Sequence, residues 1–308
     1  MGHGKTIRLE MKKVRGFYSK LTRTRWELGF IRGGLERVFK DEPLDIDWIK
    51  NPFTDRWFAD PFILDVNDEF ILILAEEYQF STKKGRIAKL FVNRQSLVIE
   101  RFEILLETPT HLSFPSILRK DGKTYVYPES ASSGKLNLYL YDSSKESLIY
   151  TQTICDDMVW DSVITDRFGE DLLFTANKND YFLDIYKWSP DVSRFIPYIT
   201  IESPKKNSRM AGQFFDYRGE TYCPRQDCER AYGGATDICR VIRDDDGFHF
   251  PIIKKLRSPH KTRKEAMHTF NVYKGIVVID VKGYDHPIVG RILHKSVRKV
   301  KKLLHVKR

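Results

Sequence analysis

The chain has 308 residues, 41% of them hydrophobic and 13% aromatic, a supply of strand formers that excludes a disordered polymer and suits a large sheet-built core. No apolar run approaches a membrane span, the basic start lacks the apolar centre of a signal peptide, and Cys155, Cys223, Cys228 and Cys239 lack paired zinc spacing, so free thiols in a cytoplasmic protein are expected. The net charge of +10 sits at the ends, since residues 41–286 carry 33 Lys/Arg against 39 acids, which argues against a nucleic-acid partner.

Residues 1–24 read as a basic amphipathic helix, with Ile7, Met11, Val14, Phe17 and Leu21 on one face and Arg8, Lys12, Lys13, Arg15 and Lys20 around it. Residues 25–286 read as one all-β unit built from an internal repeat. Its segments begin at Phe58, Leu112, Val159, Met210 and Met267, each a short apolar strand, a polar turn and a second apolar strand. The starts lie 54, 47, 51 and 57 residues apart, which accommodates four strands per unit. Hairpin signals recur at KDGK, YRGE and YKG, and strands such as 136–141 and 183–188 alternate between the repeats. A five-bladed β-propeller is the expected fold, because radial sheets bury both faces against their neighbours. Residues 287–308 read as a second amphipathic helix, with Val289, Ile292, Leu293, Val297, Val300 and Leu304 on one face and eight Lys/Arg overall. Two such helices suit an anionic membrane surface, here the inner face of the cell membrane; packing on the propeller flank is the alternative.

In a propeller the first strand of each unit lines the central channel, so distant residues converge there. Superposing the units aligns Asp60 and Asp161 with Phe114, Gly212 and Thr269. One strand later come Glu76 and Glu77, Glu129, Asn177, and Gln226 with Asp227. Asp60 and Asp161 are either channel acids or turn caps. Arg209 and Arg225 suit a phosphate or a channel carboxylate, and His111 and His268 suit a sugar oxygen or a structural hydrogen bond. Trp57, Phe58, Phe114, Trp160 and Tyr232 suit sugar stacking or inter-blade core. No Gly-rich phosphate loop, Ser-His-Asp order or metal-ligand spacing occurs, so no cofactor and no metal are expected.

Seven strings occur in order at blade spacing: Trp26–Gly29, Phe58–Phe62, His111–Pro115, Pro128–Ser130, Asp161–Ile164, Gln226–Cys228 with Tyr232-Gly233, and His268–Phe270. Together they resemble the N-terminal domain family of the plant glucosamine inositolphosphorylceramide transferases, found also in bacterial proteins linked to surface glycans. The resemblance implies a five-bladed propeller similar to the arabinanases, fructosidases and family 43 glycoside hydrolases. In those hydrolases blade one supplies an Asp, matched by Asp60, and blade three an Asp that tunes the acid, matched by Asp161. Blade four should supply the acid as a Glu, where this chain reads Met210-Ala211-Gly212. Glu129, Glu76 or Glu77 would have to donate a proton from elsewhere. The expected function is therefore glycosyl transfer in glycan or glycolipid assembly on a lipid-linked substrate. The alternatives are a glycoside hydrolase, or a non-catalytic sugar-binding propeller serving a partner glycosyltransferase.

Overall fold

The computed structural model describes residues 18–177, 179–294 and 296. The expected helical faces of residues 1–17 and 297–308 lie outside the described residues, whereas 18–21 and 287–294 are helical. Between them the regular structure is β, apart from two short helical turns at Gly34–Phe39 and Ala131–Ser133.

Five four-stranded antiparallel sheets form the blades of a propeller. Blade one is β3 (Arg56–Val66), β4 (Phe70–Gln79), β5 (Gly85–Asn93) and β6 (Ile99–Leu106). Blade two is β7 (Ser113–Lys120), β8 (Lys123–Glu129), β9 (Leu136–Asp142) and β10 (Ser147–Cys155); blade three is β11 (Trp160–Thr165), β12 (Leu172–Ala176), β13 (Phe182–Ser189) and β14 (Arg194–Glu202). Blade four is β15 (Phe215–Tyr217), β16 (Glu220–Asp227), β17 (Ala235–Arg240) and β20 (Ile252–Leu256), with a hairpin of β18 (Ile242–Asp244) and β19 (Gly247–His249) inserted. Blade five takes its inner strands from the end of the chain, β21 (Phe270–Tyr273) and β22 (Ile276–Tyr284), and its outer strands from the start, β1 (Thr24–Ile31) and β2 (Ile46–Trp48).

The turns follow from local chemistry. In KDGK, YRGE and YKG the central pairs Asp121-Gly122, Arg218-Gly219 and Lys274-Gly275 all have positive φ, the twist that a two-residue hairpin requires. Between blades the core is aromatic: Phe62 meets Phe114 at 5.0 Å and Phe174 meets Phe214 at 4.9 Å, edge to face.

The innermost strands share one irregularity. Asp60, Phe114 and Asp161, aligned by the sequence repeat, adopt φ of 51°, 44° and 49°, and the ladder shifts register beside each. A bulge of this kind frees an amide that must find another acceptor. Each finds it on the preceding blade: Asp60 N donates to Asp280 Oδ2 at 3.0 Å, Phe114 N to Asp60 Oδ2 at 3.1 Å, and Asp161 N to Glu129 Oε2 at 2.8 Å. At the aligned position of blade four, Gly212 has φ +154°, and a Cβ there would lie 2.0 Å from the Phe270 carbonyl and 2.6 Å from Asn271 Oδ1.

The ring closes where β1 pairs with β22 from Thr24↔Tyr284 to Phe30↔Val278. Arg23 and Arg25 fasten the seam to Asp285 at 2.6 and 3.1 Å. Leu28, 3% exposed, carries this strand into the core beneath blade one. Leu28→Ala should therefore destabilise the whole ring by roughly 2–5 kcal/mol, seen as a lower midpoint in denaturant unfolding.

Candidate functional site

The inner-strand bulges and the ends of the second strands bring carboxylates together at one mouth of the channel. Asp60 and Asp161 are each 4% exposed and Asp280 is fully buried. Asp60 Oδ1 accepts the Thr269 hydroxyl at 3.0 Å and lies 3.4 Å from His268 Nε2. His268 Nδ1 meets Asp280 Oδ1 at 2.9 Å, and that same oxygen accepts the amides of His268 and Thr269. The imidazole is clamped flat by Trp26, stacked at 3.9 Å, and edge-on by Tyr232 at 5.5 Å.

The charges of this set are interdependent. Burial alone would strip the proton from His268, but Asp280 and Asp60 outweigh it and raise the imidazole pKa to about 9. Burial lifts Asp60 to about 7; His268 opposes the rise, while Glu76, Asp280 and Asp161 add to it. Glu129 is pushed well above the ordinary glutamate value by burial and by the charge of Asp161. A carboxyl that keeps its proton near neutrality can serve as a general acid, and one poised near 7 can exchange it.

Among the described residues Asp60, His268 and Asp280 offer ligand atoms within 4.8 Å of one another, close enough for a metal ion. The lone pairs of Asp280, however, are committed to three backbone amides and the imidazole. The imidazolium supplies the positive charge that a cation would bring, so the cluster fits a proton-bridged set better than a metal cage.

On the other side, Asp161 Oδ2 receives Arg209 Nη1 at 2.9 Å and Gln226 Nε2 at 3.1 Å. Arg209 Nε is held by Asp180 at 2.9 Å. The turn after β16 lays the half-exposed ring of Tyr232 between the two groups, 5.4 Å from the Arg209 guanidinium and against His268. Next to the Asp60 set, His111 Nδ1 accepts the Gly85 amide at 2.9 Å, which leaves Nε2–H to donate to Glu76 Oε1 at 3.1 Å.

Asp60, Glu129, Asp161, Arg209, Gln226 and His268 thus meet at the mouth, with His111 at its edge. Three expected residues do not join them. Both oxygens of Glu77 are closed by Arg56 and Arg86 at 2.7 and 2.9 Å. Arg225 and Asp227 flank Gln226 on β16 and therefore point to the opposite sheet face, where Asp227 is bound by Lys255. Phe58 and Phe114 are core. The sequence reading missed Asp280, Asp180 and Lys282. Lys282 lies 5.2 Å from the Trp26 ring, and burial pulls its pKa below the ordinary lysine value against the attraction of Glu76 and Asp280. Asp280 was within reach, because it occupies the second strand of the fifth repeat as Glu76 and Glu129 do in theirs.

Residues 47–268 match the family model described as glucosamine inositolphosphorylceramide transferase 1, N-terminal. The chain belongs to this family. It is 28% identical over 197 residues to glucosamine inositolphosphorylceramide transferase 1 of Arabidopsis thaliana, covering 60% of this chain and 26% of that protein. The japonica rice protein of the same name is 24% identical over 201 residues, covering 61% and 27%. The chain thus spans about a quarter of the length of these curated relatives. In fold it is similar to CoXyl43, a family 43 β-xylosidase/α-arabinofuranosidase from a compost microbial metagenome, with TM-score 0.51, 15% identity, and coverage of 74% of this chain and 86% of that one. The GH43_1 enzyme from Xanthomonas citri gives TM-score 0.51, 12% identity, and coverage of 75% and 89%. The family and the five-bladed fold expected from the sequence are both found.

The site's charges predict a pH signature. Folded Asp60 holds a proton that an unfolded carboxylate releases near pH 4, so its contribution to stability falls as pH rises from 4 to about 7. His268, with its folded pKa raised, contributes stability that is full below its unfolded value near 6.5 and lost as pH climbs through about 9. Asp60→Asn should flatten the first part of this fall and lower the His268 midpoint. Unfolding curves across pH and NMR titration of the His268 ring read both effects; an unmoved midpoint would refute the coupling.

Proposed function

We propose that this chain is a carbohydrate-active propeller of cell-surface glycan or glycolipid assembly, whose channel mouth supports glycosyl transfer and not glycoside hydrolysis. One observation carries the choice. At the start of blade four, where hydrolysis by the family 43 scheme needs a carboxylic acid, Arg209 instead binds Asp161, and Gly212 is packed too tightly for any side chain. A fixed cation beside the acids suits a donor whose leaving group is an anion such as phosphate. Transfer then needs only a base: the acceptor hydroxyl gives its proton to Asp60, its oxygen bonds to the anomeric carbon, and the bond to the leaving group breaks. Glu129, whose pKa burial and the charge of Asp161 push well above the ordinary glutamate value, is a second group at the mouth suited to carrying a proton. The name of the curated relatives, glucosamine inositolphosphorylceramide transferase 1, supports the substrate class.

A second reading is a non-catalytic sugar-binding propeller that guides a partner glycosyltransferase. It is favoured by Asp60, whose two oxygens are already engaged by Phe114 N and the Thr269 hydroxyl. Replacing the chain by its Asp60→Asn variant in the source cells, with lipid-linked glycans followed by mass spectrometry, separates the two. Transfer predicts loss of one sugar unit, and an unchanged profile favours the binding module. Release of free sugar from glycosides by the purified protein would overturn the transfer reading.

We propose further that the protein works at the inner membrane surface. Ile288, Val289 and Ile292 are 76%, 44% and 60% exposed on the C-terminal helix, next to Arg291 in a stretch free of acids. Exposed apolar groups among cations suit the interface of an anionic bilayer. The full chain should float with anionic vesicles and lose that property on removal of residues 287–308; equal flotation of both would eliminate this anchor.

A further inference from the structure

A cavity lies away from the Asp60–Asp161 cluster, between β14 of blade three and the inserted hairpin of blade four. It has a volume of about 430 Å³, and Phe248, Phe250, Ile201 and Arg225 contribute to its walls. Arg225 is only 4% exposed, yet its buried Nε finds no hydrogen-bond partner among the described residues. Its one contact of note is the Phe250 ring, 4.8 Å away. The cross-strand neighbour that would ordinarily receive it, Asp237, instead has Lys255 3.0 Å from Oδ1 as an ion pair and accepts the Asn207 amide on Oδ2 at 3.4 Å. Lys255 also holds Asp227, so one lysine serves two carboxylates while the arginine beside them serves none.

A buried guanidinium presents five donors in a planar fork, and leaving them unmet is costly. The charges of these four side chains balance, and Asp237 Oδ1 also lacks a hydrogen bond, so the guanidinium has turned away from its neighbouring carboxylate and stays unpaired. The open side of Arg225 faces the cavity, whose rim carries Lys205 and Glu202 and whose wall is aromatic. We propose that this cavity binds a small organic oxyanion, with its carboxylate or phosphate on Arg225 and its ring-sized body against Phe248 and Phe250. The volume lies within the range of small-molecule sites, and a few polar groups in an apolar cavity is their usual composition. This proposal stands independently of any chemistry at the channel mouth.

Isothermal titration of the full chain with a hexuronic acid, a hexose 1-phosphate, inorganic phosphate and the neutral hexose tests it. Binding of a ring-bearing anion, with the neutral hexose silent, is expected. The uronic acid and the sugar phosphate distinguish carboxylate from phosphate, and inorganic phosphate reports how much the ring contributes. Arg225→Met should weaken that binding by about tenfold or more, the loss of a charge-assisted pair. A readout that needs no foldable variant is the Arg225 Nε–H resonance of the wild-type protein, which should shift on titration with the same anions. Silence of all the anions, equal binding of the neutral hexose, or an Nε–H signal unmoved at saturation would each overturn the proposal.

Discussion

The propeller depends on a hydrogen bond that crosses from blade to blade. Each of the first three inner strands carries one residue in the left-handed region, Asp60, Phe114 or Asp161, and its amide is turned out of its own ladder. A buried amide without an acceptor is costly, and the acceptor in each case is a carboxylate of the preceding blade. Asp280, Asp60 and Glu129 thereby hold blade five to one, one to two, and two to three. The fourth seam of this end, from three to four, is made by Asp161 with Arg209 and Gln226.

This constraint explains why acids gather where mutual repulsion should disperse them. They are placed as acceptors, and the resulting negative charge is then offset locally: His268 between Asp60 and Asp280, Arg209 between Asp161 and Asp180. Structure and chemistry are therefore not competing explanations for these side chains. The bond that fixes Asp60 also removes it from water, and removal from water brings its proton affinity to neutrality. The same two facts make a carboxyl that titrates near neutrality and a strained clasp.

Much of this was legible in the sequence because the repeat is strong. The five starts gave the blade count, and the alignment of Asp60, Phe114 and Asp161 anticipated a shared backbone conformation without naming it. The hairpins KDGK, YRGE and YKG revealed themselves through residues that tolerate positive φ. What failed was the direction of side chains. Glu77, Arg225 and Asp227 were grouped with Glu76 and Gln226 by nearness along the strand, although alternation sends immediate neighbours to opposite faces. Asp280 was overlooked inside an apolar run, Ile276–Tyr284, that reads as pure core. The partnership of β1 with β22 carries no local signal at all, since its register is set by the closing of the ring.

That closing also sets an order of events in the life of the chain. Strands β1 and β2 are made before the four blades that follow them, and their partner β22 comes only after all four. Until then Trp26, Leu28 and Phe30, all under 10% exposed in the finished ring, have no sheet to join, and four blades stand with an open edge on either side. Closure of the ring is thus a wait for one strand that is distant in sequence from its partner.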